Sequence, residues 1–195
     1  MEIHRCDAVN KCMSMAGLPD RLPPEPAFSA ACCLNERKTM GKVFKFDNDV
    51  DTDQIIASQY LLFPSVEEMA PHTFESLDAD FAKNVKPGDY VVAAENFGCG
   101  SSREQAPSVL KALGVKAVLA KSFARIFYRN CINIGLPAIV CKDLYDNVKA
   151  GDDIELALSE GTVTAGDKTY ACTKLPAHLQ GILDQGGLIA SLDRD

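Results

Sequence analysis

The sequence predicts an α/β fold, on three observations. Between residues 90 and 141, three short apolar runs alternate with two helix-like segments, the pattern of parallel strands joined by helical crossovers. Ahead of them, residues 42–46 (KVFKF) alternate polar and apolar, as a half-buried strand does. Behind them, residues 153–173 break into short alternating runs around turn residues, which reads as an antiparallel β unit.

Taken in chain order, residues 1–39 stand apart. They hold four of the ten prolines and four of the eight cysteines, and show no sustained period of 2 or 3.6. Five basic residues there balance five acidic ones, so the whole formal charge of −7 belongs to 40–195. Five acids argue against an organelle transit peptide, and the first 25 residues lack the apolar core of a secretory signal. The expectation is a disordered extension over 1–39, with Met40 as the natural start, and a single patterned domain over 40–195.

From Met40 onward, strand 42–46 leads into an acidic loop, 47–53. Residues 55–84 read as short helical pieces broken by Pro64 and Pro71. Pro87-Gly88-Asp89 marks a turn before a buried strand at 90–94 (YVVAA). A Gly-rich loop at 96–102 opens a helix that runs to about Leu113 and stops at Gly114. A strand at 115–120, a helix at 122–133 stopped by Gly135, and a strand at 138–141 follow. The tail holds strands at 153–158, 162–165 and 168–173, then a last helix at 177–185 ending at Gly186-Gly187.

Composition narrows the function. Hydrophobic residues make up 47% and charged residues 24%, ordinary for a globular domain. No apolar run approaches the roughly 20 residues that span a bilayer, and no basic cluster marks a nucleic-acid footprint. The eight cysteines include no C-x-x-C pair, and with three histidines this argues against zinc. They read as reduced thiols of a cytoplasmic protein rather than as a disulfide framework.

The loop 96–104 (NFGCGSSRE) carries the most chemistry. It leaves a strand and enters a helix, where free backbone N–H groups and the helix dipole favour an anion. Gly98 and Gly100 permit close backbone approach, and Arg103 offers a fork for a carboxylate. The dinucleotide motif, the phosphate loop and the nucleophile elbow all fail on Arg103 or its neighbours. Ser101 and Glu104 also fit a capping box, which would make the serine a helix cap; cap and anion site weigh about evenly. Pro107 places the regular helix nearer 105 than 102. The acidic run 47–53 fails as a calcium loop, with Thr52 where glycine is required and Ser58 where glutamate is required. Asp53 remains as a site carboxylate. Ser122 is a natural N-cap for the second helix; Phe123, Ile126 and Phe127 read as core; Arg125, Arg129 and Asn130 are left open between surface and site. His72 and His178 receive no role.

Together the segments 51–56 (DTDQII), 60–62 (YLL), 96–107 (NFGCGSSREQAP), 122–130 (SFARIFYRN) and 133–137 (NIGLP) resemble the small subunits of the isopropylmalate dehydratases and the fourth domain of aconitase. The resemblance covers about 41–190. It implies a swivelling β/β/α domain of the aconitase small-subunit type, catalytic only with a large subunit that binds a 4Fe-4S cluster, in a heterodimer or heterotetramer, with no metal bound by this chain. It implies a hydro-lyase that moves a hydroxyl to the neighbouring carbon by dehydration and rehydration, the cluster iron acting as Lewis acid. It implies that Ser101 is the base, acting as an alkoxide, that Arg103 binds the substrate carboxylate, and that Gly100 and Ser102 help to position it. Asp53 matches a carboxylate near the site. Gln105 departs from the histidine common in relatives. Leu62 stands where homoaconitase-like relatives have an arginine that reads an extra carboxylate; an apolar side chain there suits an isopropyl or methyl group. Leucine biosynthesis is the implied setting. Dimethylmalate, citramalate or homocitrate as substrate is the rival reading, and an anion-binding module without chemistry is the other.

Overall fold

The structure, a computed structural model, describes residues 40–192. The disorder expected of 1–39 lies outside the described residues. Seven strands form one sheet: β1 Gly41–Phe46, β2 Tyr90–Ala93, β3 Ala117–Ala120, β4 Ala138–Val140, β5 Asp153–Ala157, β6 Thr162–Ala165 and β7 Lys168–Ala171, in the order β4-β3-β2-β1-β5-β6-β7. β1 to β4 are parallel, and β5 to β7 form the antiparallel unit. The two halves are continuous because β1 has partners on both edges. It pairs in parallel with β2 and antiparallel with β5, with Gly41 opposite Ile154 and Lys42 opposite Asp153.

The sheet curls until its outer strands meet. Just past β7, the Thr173 N–H donates to the Val140 carbonyl at 2.8 Å, although β7 and β4 stand at opposite ends of the strand order. Alternation along the strands sorts side chains into two cores. Val91 and Ala93 of β2 join Phe46, Phe74, Phe81, Val118 and Leu110 on one face, whereas Tyr90 and Val92 join Val43, Leu119, Ile139, Ile154 and Val163 on the other. Every residue of β2 and of β3 is buried, as expected of parallel strands covered on both faces. Stacked and edge-on rings reinforce the first core, with Phe46 4.1 Å from Phe74 and Phe74 4.8 Å from Phe81 between centroids.

Between β1 and β2 lie the short helices α1 Thr52–Ile55, α2 Val66–Met69 and α3 Phe81–Asn84, with 3-10 turns at Ser58–Leu62 and Ala70–His72. The crossovers are α4 Gln105–Ala112 and α5 Arg125–Ile134, followed by α6 Leu144–Asn147, α7 Ala177–Asp184 and α8 Leu188–Leu192. Gly114 and Gly135 stop α4 and α5 in left-handed conformations at φ +82° and +80°. Several expectations are corrected. α5 begins at Arg125, not at 122, because Ala124 is extended, and Ser122 is no cap: its hydroxyl accepts from the Asn96 N–H at 2.8 Å. Ile126 is not core but 48% exposed, since it lies on the outer face of α5. The short helices α6 and α8 occupy stretches without readable periodicity. The acidic loop ends at Asp51, which caps α1.

Candidate active site

The site is built where the parallel strands β1 and β2 run out but stay stitched together. Past Phe46 and Ala93 the two chains lose strand geometry yet keep exchanging hydrogen bonds. Asp49 N–H donates to Glu95 O at 2.9 Å, Gly98 N–H to Val50 O at 2.8 Å, and Thr52 N–H to Cys99 O at 2.9 Å. Side chains of the acidic run add to this. Asn48 Oδ1 accepts from the Glu95 N–H at 3.1 Å, and Asp49 Oδ1 from Asn96 Nδ2 at 2.8 Å. The Thr52 hydroxyl donates to the Ser101 carbonyl at 3.1 Å. The run 47–53 is therefore a brace for the Gly-rich loop rather than a solvated acidic loop. Within the run, Asp51 closes a capping box with Gln54: Asp51 Oδ1 accepts from Gln54 N–H at 2.7 Å, and Gln54 Oε1 from Asp51 N–H at 2.9 Å.

The loop itself turns through three left-handed residues, Asn96, Gly98 and Gly100, at φ 57°, 77° and 87°. Gly98 also has no room for a side chain: a Cβ there would come within 2.1 Å of the Phe127 ring. A Cβ at Gly100 would sit at ordinary contact distance, 3.4 Å from Asp51 Cβ, so this glycine is required for its backbone conformation. Phe97 is buried edge-on against Phe127, 5.3 Å between centroids, and forms the floor.

Ser101 and Ser102 are exposed on this loop, and their hydroxyls make no hydrogen bond among the described residues. The capping-box reading of Ser101 falls here. α4 starts at Gln105, with Glu104 preceding it and no side-chain cap. Ser101 thus lies one turn ahead of the helix, held through its backbone by Thr52 and by the Arg103 N–H, 2.9 Å from its carbonyl. Gln105, half-buried, makes no side-chain hydrogen bond among the described residues.

Arg103 is the most constrained polar side chain of the site, 15% exposed. Nη1 donates to Asp53 Oδ1 at 2.5 Å and to the Ile56 carbonyl at 3.3 Å; Nη2 donates to the Ser58 hydroxyl at 2.9 Å. Three of its five N–H groups are used this way, leaving Nε and one Nη2 hydrogen for an incoming carboxylate. The Ser58 hydroxyl, donating to Asp53 at 2.7 Å, and then Arg103 hold the Asp53 carboxyl below the usual range. The structure so brings Asp53 and Arg103 together, and Gly100, Ser101 and Ser102 onto the same loop. Leu62 ends the 3-10 turn that begins with Ser58, its side chain 88% exposed and free of the loop. Ser58 escaped the sequence reading; a lone serine carries no pattern that marks it.

Cys99, half-buried within the loop, donates its S–H to the Asp49 carbonyl at 3.5 Å, and burial together with Asp51 and Asp49 raises its pKa. That shift disfavours the thiolate, the nucleophilic form of cysteine. Arg125 and Arg129 are exposed at the start of α5, without an ion pair among the described residues.

The family model of the aconitase C-terminal domain matches residues 39–144. The chain is 52% identical, over 153 residues, to the 3-isopropylmalate dehydratase small subunit 1 of Archaeoglobus fulgidus, spanning 77% of this chain and 94% of that protein. It is 48% identical, over 157 residues, to the isopropylmalate/citramalate isomerase small subunit of Methanocaldococcus jannaschii, spanning 79% of this chain and 93% of that one. A crystal structure of 3-isopropylmalate dehydratase from Methanocaldococcus jannaschii matches with a TM-score of 0.76 at 46% identity, covering 80% of this chain and 93% of that chain.

Proposed function

The chain belongs to the aconitase C-terminal domain family, and on that premise we propose that it is the small subunit of a 3-isopropylmalate dehydratase, a hydro-lyase of leucine biosynthesis. It isomerises 2-isopropylmalate and 3-isopropylmalate by dehydration and rehydration, together with a large subunit that carries the 4Fe-4S cluster. Among the described residues no group of three or more Cys, His, Asp or Glu side chains could hold a metal ion. The described residues thus offer no ligand set that fits a cluster, and the part proposed for them is limited to the carboxylate and the proton.

The observation that carries this reading is a braced arginine fork next in sequence to an unengaged serine hydroxyl on a water-accessible loop. Arg103 binds the substrate carboxylate with its two remaining N–H groups, and Ser102 and the Gly100 backbone steady that carboxylate. Ser101 Oγ, as an alkoxide, takes the proton from the carbon beside it. The C–H electrons become the new C=C bond as the neighbouring carbon loses its hydroxyl with the C–O electron pair, for which a cluster on the large subunit would supply the Lewis acid. Rehydration adds the hydroxyl to the carbon that lost the proton, and the serine hydroxyl gives its proton to the carbon that lost the hydroxyl, which completes the isomerisation. Docking of the large subunit over the loop excludes water, which strengthens the field of Arg103 at Ser101. Leu62 meets the isopropyl group, and with no charge to offer it disfavours substrates carrying a further carboxylate. None of the described helices is long and apolar enough to cross a membrane. The setting proposed is cytoplasmic, where thiols such as the four described cysteines stay reduced.

The test is turnover of 3-isopropylmalate after anaerobic co-expression with the large subunit from the same organism. Wild type turns it over and Ser101→Ala does not. Turnover of dimethylmalate alone would overturn the reading of Leu62, and an active Ser101→Ala would move the base elsewhere.

A further inference from the structure

Arg103 is a long side chain that must hold one geometry to bind a carboxylate productively. Two of its holders are expected from the local fold, the Asp53 carboxylate and the Ile56 carbonyl. The third, Ser58, joins two parts of the site that are otherwise separate. Its hydroxyl accepts from Arg103 Nη2 at 2.9 Å and donates to Asp53 Oδ1 at 2.7 Å, closing a ring of three side chains. Ser58 is also the first residue of the 3-10 turn whose last residue is Leu62.

Ser58 does not serve the turn itself. The turn's cap position is Ala57, with no side-chain cap hydrogen bond, and the Ser58 hydroxyl points instead to the arginine and the carboxylate. The middle of the turn is pinned independently. Tyr60 donates its hydroxyl to Glu75 at 2.5 Å and stacks on the His72 ring, 3.8 Å between centroids and 10° from parallel. His72 Nδ1 lies 3.3 Å from the same Glu75 oxygen. The turn is thus anchored at Ser58 on the carboxylate-binding arginine and at Tyr60 on the wall opposite, and Leu62 is carried between fixed points and solvent.

We propose that Ser58 is a positioning residue that couples carboxylate binding at Arg103 to side-chain selection at Leu62, so that loss of its hydroxyl weakens both together. The inference rests on the function proposed above and adds to it.

The experiment uses the reconstituted two-subunit enzyme. Ser58→Ala is expected to raise KM for 3-isopropylmalate about tenfold, the usual size for a lost hydrogen bond to a charged group. It lowers kcat less than about threefold, and shifts the kcat/KM ratio between isopropylmalate and citramalate at least about threefold. Ser58→Thr, which keeps the hydroxyl, returns KM to within about twofold of wild type. Tyr60→Phe releases only the far anchor, so it shifts the substrate ratio while KM changes less than about twofold. A Ser58→Ala enzyme with wild-type KM and substrate ratio overturns the proposal. So does a Ser58→Thr enzyme indistinguishable from Ser58→Ala at equal Tm and equal recovery with the large subunit. Should Ser58→Ala fail to assemble, an unchanged substrate ratio in Tyr60→Phe overturns it. A wild-type enzyme inactive on isopropylmalate removes the functional reading first, and this inference with it.

Discussion

The parallel half of the sheet and the antiparallel half are built from strands of similar length, yet the proposed site lies wholly on one of them. β1, β2 and β3 run in the same direction, so the chain leaves all three at the same edge. The loops that follow them, at 47–52, 94–104 and 121–124, are therefore neighbours by construction and bond to one another: Gly98 N–H to Val50 O, Ala124 N–H to Phe97 O, Lys121 N–H to Ala94 O. β5, β6 and β7 alternate in direction, so their connections part to opposite ends and no three of them meet. The difference shows why a parallel sheet gathers a site at the carboxyl ends of its strands. The antiparallel half supplies instead a covering sheet and, through Thr173, the bond that closes the curl.

The sharpest way to break this comparison is catalytic. Ser101→Ala on the parallel side is expected to lower kcat of the reconstituted enzyme about a thousandfold or more, in line with loss of a general base. Thr164→Ala on β6 leaves kcat within about twofold, measured side by side under anaerobic conditions. Next comes stability. Gly98→Ala must place a methyl group into the Phe127 ring in a left-handed conformation, at a cost of roughly 3–4 kcal/mol in urea unfolding. Gly166→Ala, in the β6–β7 turn at φ +57° with nothing near it, costs roughly 1–2 kcal/mol, from conformation alone. Equal losses would mean that the loop has slack to absorb the clash. A smaller effect is expected of Thr52→Val. It removes the hydroxyl that holds the Ser101 carbonyl, costs about 1 kcal/mol in stability, and lowers kcat about tenfold by loosening Ser101. A kcat equal to wild type would show that the brace does not position the serine.

The smallest effect is on pH. Asp53 titrates below its ordinary value of 3.8 because Ser58 and then Arg103 favour the carboxylate. The sign follows: the tie stabilises the fold above that value and loses its contribution as pH falls through the lowered folded pKa. A carbon-detected NMR titration of the Asp53 carboxyl should give a midpoint under 3.8, and Ser58→Ala should move it upward. An unmoved midpoint would separate Ser58 from the Asp53–Arg103 pair in solution.

Much of this molecule was legible along the chain, for reasons that are local. Runs such as 90–94 and 162–165 carry the period of strands, and Gly114 and Gly135 mark helix ends because only glycine turns left-handed there at low cost. The motif residues Ser101, Ser102, Arg103 and Asp53 were readable as a family pattern. Boundaries failed where a side chain had an alternative partner. Ser122 looked like a cap until Asn96, 26 residues away, took its hydroxyl. Ile126 fitted a helical apolar face, but α5 turns Phe127 and Cys131 inward and leaves Ile126 outside that face.

The sequence by itself determined most of the elements and their order, the glycine-marked helix stops and the family, because each of these rests on neighbours a few residues apart. Only the tertiary structure decided that β1 joins the two halves, that β4 and β7 close on each other, that the acidic run braces the Gly-rich loop, and that Ser58 meets Arg103 across 45 residues. Those contacts depend on strand register and on the curl of the whole sheet, and no period or propensity within a short window encodes either.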